Sequence, residues 1–143
     1  MRRIVTIALA LVCGLVSLNC ELDTGENFFF VNMEITEADV PDFFILNQSH
    51  NMEVTFSRPD NCTYFQGFDV FSDENGVTTV VAIGSVLTEE DRAPSQESLT
   101  GILTITTDNV QFYTLRFYTG EDADGNLQYL EYQVPVVDGI NQL

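Results

Sequence analysis

The chain has no lysine and no tryptophan, and only one histidine and three cysteines in 143 residues. Without lysine its cations are a handful of arginines, and Lys+Arg 5 against Asp+Glu 22 leaves a net charge of -17. Such a balance repels nucleic-acid phosphates and anionic lipid headgroups, so no nucleic-acid partner is expected. A lone histidine, His50, cannot build a typical zinc site, and no helical periodicity exists to carry a zinc-protease motif. The missing tryptophan removes the largest aromatic face for stacking a sugar ring, although Tyr64, Tyr118 and Tyr129 could substitute. No apolar run reaches the ~20 residues that a membrane-spanning helix requires.

The longest apolar run is residues 4–18, preceded by Arg2 and Arg3. A basic start followed by a short apolar stretch reads as an export signal. Ordinary signal peptidase finds poor sites here, because cleavage after Gly14 or Ser17 leaves bulky Val12 or Leu15 upstream. A lipoprotein peptidase cuts immediately before a cysteine whose thiol carries diacylglycerol, and Cys20 stands at the right depth, although Leu18 and Asn19 are not the usual small residues. Cys20 is therefore expected to be lipidated. On this reading residues 1–19 are a signal peptide, residues 20–27 an acidic tether and residues 28–143 one domain. Removing the leader leaves Arg58, Arg92 and Arg116 against 22 acids, a charge of -19. A surface so acidic cannot hold a membrane by charge. Acyl chains can, at about 0.8 kcal/mol per buried CH₂. The expected location is beyond the inner membrane, on the outer membrane or the cell surface.

Apolar residues alternate with period two, which predicts strands. Met52, Val54 and Phe56 point one way and Glu53, Thr55 and Ser57 the other. Leu99, Gly101, Leu103 and Ile105 repeat the pattern, as do Tyr113, Leu115 and Phe117, and Leu130, Tyr132, Val134 and Val136. Pro135 lacks a ladder donor and suits a strand end or an edge. Asp73-Glu74-Asn75-Gly76 marks a hairpin, because Asn and Gly tolerate positive φ. Residues 120–126 join the last two strands, while residues 88–97, with their charges and Pro94, predict a longer loop. Seven to eight short strands predict an all-β, antiparallel β-sandwich of immunoglobulin-like architecture, with a small β-barrel as the alternative.

Several stretches resemble a group of small cell-envelope lipoproteins of flavobacterium-type (Bacteroidota) bacteria. They are Arg58-Pro59-Asp60-Asn61-Cys62 with Tyr64-Phe65, Thr79-Val80-Val81-Ala82, and the closing run from Leu115-Arg116-Phe117-Tyr118-Thr119-Gly120 to Glu131-Tyr132-Gln133-Val134-Pro135-Val136. The resemblance implies a sandwich on a lipid anchor, accepts Asn before the lipidated cysteine, and brings no established activity. It also implies a second cysteine in the loop matching residues 88–97, which this chain lacks.

The remaining chemistry is sparse. Cys62 reads as a partly buried free thiol that packs as a small hydrophobe. The alternative is a Cys20 to Cys62 disulfide, which requires that Cys20 not be lipidated. Pairing of Cys62 with His50 as nucleophile and base is disfavoured, since the only histidine sits in the polar turn Asn47-Gln48-Ser49-His50-Asn51. Gly84-Ser85 lacks the second glycine of a nucleophile elbow. Asp122, Asp124 and Asn126 alternate like calcium ligands, but Leu127 and Gln133 stand where an EF-hand needs glycine and glutamate. A polar hairpin explains them more simply, and Glu89-Glu90-Asp91 reads as a solvated loop. The expectation is a non-catalytic envelope protein without cofactors, acting through a protein partner. The alternative is a carbohydrate-binding or calcium-dependent ligand-binding module.

Overall fold

The structure is a computed structural model that describes residues 27–88, 91–108 and 111–139. The leader, Cys20 and the tether lie outside the described residues. Nine strands follow one another: β1 (Phe28–Met33), β2 (Ile35–Ala38), β3 (Phe44–Ile45), β4 (Ser49–Asp60), β5 (Thr63–Ser72), β6 (Val77–Leu87), β7 (Pro94–Thr106), β8 (Phe112–Glu121) and β9 (Leu127–Val137). Among the described residues no helix is long and apolar enough to cross a membrane.

The strands form two sheets that do not close into a barrel, so the molecule is an all-β sandwich. β6 is the centre of the larger sheet. Along one edge it pairs with β5, from Thr63↔Val86 to Ser72↔Thr78. Its other edge is shared, with β1 beside residues 82–87 and β8 beside residues 77–80. β9 then pairs with β8, and β3 with β9. The smaller sheet is β2, β4 and β7.

The antiparallel expectation needs correction at two pairs, because β6 with β8 and β3 with β9 are parallel. Parallel neighbours need a long connection, and here whole strands supply it: β7, in the other sheet, lies between β6 and β8. Alternation along a strand reports which face is buried and carries nothing about the direction of the neighbour. The added strands are the shortest, β2 and β3, too brief to show a period. The long loop expected over residues 88–97 is also shorter, since β7 begins at Pro94. Pro94 opens that strand, where a missing donor is tolerated.

Met52, Val54 and Phe56 face inward and are buried in one core cluster with Leu103 and Ile105 of neighbouring β7 and with Leu115, Phe117 and Val134 of the facing sheet. Phe56 stacks on Phe65 at 4.4 Å between ring centroids and meets Phe68 edge-on at 5.8 Å. Burial of such a side chain stabilises by roughly 1.5 to 3 kcal/mol. Gly101 of β7 makes room for this cluster, because a Cβ there would stand 3.1 to 3.2 Å from the Phe65 and Phe68 rings. Only Glu34 separates β1 from β2, and Met33 and Ile35 on either side of it are both core residues. The chain changes sheets at that point.

Candidate functional site

Asp60 ends β4 and is buried. Its carboxylate accepts hydrogen bonds from the Cys62 amide (3.0 Å) and the Thr63 hydroxyl (2.7 Å), and Arg92 Nε lies 2.7 Å away. Burial alone would raise its pKa, but the hydrogen bonds from Thr63, Arg92 and Cys62, with the Arg92 charge, hold it below the ordinary carboxylate value. Cys62 is fully buried beside it, and its thiol donates toward Asn61 Oδ1 and the Asp91 carbonyl. This corner ties the β4–β5 turn to the segment leading into β7.

His50 lies at the far end of β4, where its ring meets Phe44 and Nε2 accepts the Ile45 amide at 2.9 Å. A strand rises about 3.3 Å per residue, so His50 and Asp60 stand roughly 33 Å apart along β4. His50 therefore serves the β3 turn and cannot act as a base on Cys62. The other half of the disulfide alternative, Cys20, is outside the described residues, as are Glu89 and Glu90 of the acidic loop.

Asp122, Asp124 and Asn126 are brought together in one hairpin, as a hydrogen-bonded turn. Asp122 Oδ1 accepts the amides of Asp124 and Asn126, each at 2.9 Å, while Gly125 takes a φ of 82°. The amide group of the Asn126 side chain also donates to both oxygens of Asp122. These bonds, Asn126 foremost, lower the Asp122 pKa. The Asp73 turn repeats the device, with Asp73 Oδ1 accepting the amides of Asn75 and Val77 and Gly76 at a φ of 79°. Among the described residues no three His, Cys, Asp or Glu side chains converge as a metal site.

The two outward faces of the sandwich differ in chemistry. On the smaller sheet, polar side chains pair across β4 and β7: the hydroxyls of Ser49 and Thr106 lie 2.8 Å apart, and the Thr104 hydroxyl donates to Asn51 Oδ1 at 2.8 Å. Ile102 is the exposed apolar side chain there. On the larger sheet, the even residues Val80, Ala82 and Val86 of β6 face the core, so the odd ones face out. Strand register then places Phe30, Ser85 and Tyr64 in one outward row, and Phe71, Thr79, Arg116 and Glu131 in another. Phe28, Phe30, Tyr64 and Phe71 are 53, 63, 42 and 51% exposed. Tyr118 is buried on the same face against Tyr129, and burial, then the nearby Glu121 and Glu34 charges, raise its pKa.

Each arginine of the domain is already engaged. Arg58 donates to the Thr63 and Asn61 carbonyls, pairs with Glu97 at 3.1 Å and lies 5.4 Å from the Tyr64 ring centre. Arg92 pairs with Asp60 and lies over Phe29, and Arg116 donates to Thr79 and lies 4.6 Å from the Tyr129 ring centre. The aromatic face on β1, β5 and β6 is thus the candidate site. Its signal in the sequence was Phe28-Phe29-Phe30, which reads as the apolar start of the domain until pairing shows two of the three rings turned outward. No family profile, curated protein or solved structure matches the chain.

Proposed function

We propose that this protein is a non-catalytic cell-envelope lipoprotein, held in the membrane by acyl chains on Cys20, that docks a protein partner on the outward face of its larger sheet. One observation carries the docking reading: large exposed rings, Phe28, Phe30, Tyr64 and Phe71, share a face whose counterpart on the other sheet is mostly polar. Large apolar side chains left exposed on one face in this way mark interaction sites. Three of those four rings are phenylalanine, which offers no hydroxyl to hydrogen-bond a sugar, so a protein is favoured over a glycan. The anchor is supported by the apolar leader that ends at Cys20 and by the resemblance to envelope lipoproteins.

Cross-linking in intact cells is the test. A specific protein should be captured, and Phe30→Ser with Tyr64→Ser should abolish its capture while Ile102→Ser leaves it intact. Recovery of no specific protein, together with binding to a glycan array, would overturn the docking reading. The anchor has its own check, since a palmitate analogue should label the protein and the label should vanish in Cys20→Ala. An unlabelled chain with a Cys20 to Cys62 bond would refute it.

A further inference from the structure

We infer that the partner contributes a basic, extended segment that pairs as an added strand along the open edge of β5, over residues 68–72. This deepens the docking reading and rests on it. β5 pairs with β6 alone among the described strands, so its second edge offers unpaired backbone groups. The bulge between Phe65 and Gly67 interrupts the ladder, whereas Phe68↔Ala82 to Ser72↔Thr78 is regular. That stretch exposes apolar side chains on both sides of the strand, Val70 (42% exposed) opposite Val80 on the inner side and Phe71 opposite Thr79 on the outer side. A strand laid there would cover both.

Other edges fit less well. β2 and β3 have 4 and 2 residues, β7 presents hydroxyls on its outward side, β1 carries no acid to attract a cation, and β9 is covered by β3 at one end, next to Pro135. Charge specifies the occupant. The hairpin of β5 and β6, residues 63–87, carries Asp69, Asp73 and Glu74 and no cation. Arg58, Arg92 and Arg116 are committed to internal partners, so positive charge must come from the other molecule. A second copy of this chain would set Asp69 and the whole acidic field against its like, which opposes edge-to-edge pairing. Addition of a strand draws affinity from main-chain bonds and specificity from alternate side chains. Here the alternation asks for lysine or arginine on the outward side, beside Asp69 and with its stem over Phe71, and for apolar residues on the inner side, beside Val70.

The probe is an alternating lysine-valine peptide of about eight residues, added to the full acylated chain in neutral detergent. Amide exchange should slow at residues 68–72, and binding should weaken by about tenfold or more in Val70→Lys. Ile102→Ser should bind as the unaltered chain does, and a glutamate-valine peptide should not bind. The idea fails if the lysine-valine peptide binds without protecting those amides, if Val70→Lys leaves binding unchanged, or if sedimentation shows copies of the chain pairing through β5. Failure of the docking reading looks different: cells then yield no cross-linked protein, whatever the peptide does.

Discussion

Asp60 shows how one carboxylate can organise a corner. It accepts from an amide and a hydroxyl and pairs with an arginine, and Asp60→Ala leaves the Cys62 amide and Thr63 hydroxyl without their acceptor. The expected loss is roughly 1 to 3 kcal/mol, measured by chemical denaturation. Arg92 is half-exposed, so its charge supplies the smaller share. Because the folded pKa of Asp60 is depressed, its contribution is present above the unfolded value of about 3.9 and disappears as pH falls through the lower folded value. The stability gap between the unaltered chain and Asp60→Asn should therefore be full at neutral pH and close in strong acid. A gap that is constant from pH 7 to pH 2 would contradict this. Asp60-Asn61-Cys62 stood in the sequence as part of a resemblance, with nothing to reveal a buried carboxylate, because its partner Arg92 lies 32 positions away.

At the level of elements, the two Asp-to-Gly turns are alike in backbone and in side-chain use. Asp122→Ala should lower the melting temperature, and calcium at millimolar concentration should leave the melt of the unaltered chain where chelator leaves it. A calcium-dependent rise would show that the turn also serves as a cation site. In β7, Gly101→Val would drive a branched side chain into Phe65 and Phe68 and should cost about 1 to 3 kcal/mol. An unchanged denaturation midpoint would mean the rings have room to move. These long strands were readable from sequence because one side of each is core: Met52, Val54 and Phe56 alternate with polar neighbours without a break. β6 was located by its turn instead, since Thr79, Val81 and Ser85 on its outward side are buried too and the alternation fades. β3, only Phe44 and Ile45, has no pattern of its own and exists because β9 is beside it.

The whole molecule is a strongly acidic body in which Asp60 and Glu97 are paired with arginines. Repulsion among the rest is screened by salt, with a Debye length near 30 Å at 0.01 M and about 8 Å at physiological ionic strength. Thermal stability should accordingly rise as sodium chloride is added from 0.01 M to 0.15 M; a melt that falls over this range would mean that the two pairs outweigh the repulsion. The sandwich class was legible in the sequence, and the aromatic face was not, because which way Phe28, Phe30 and Phe71 point depends on register with β6. The topology also decides how the molecule would carry a load. A pull arriving from the N-terminal side enters β1, crosses to β6 and reaches β5 without leaving the larger sheet, so tension between an anchor and a partner held on β5 would run through neighbouring ladders while β4 and β7 stay out of the path.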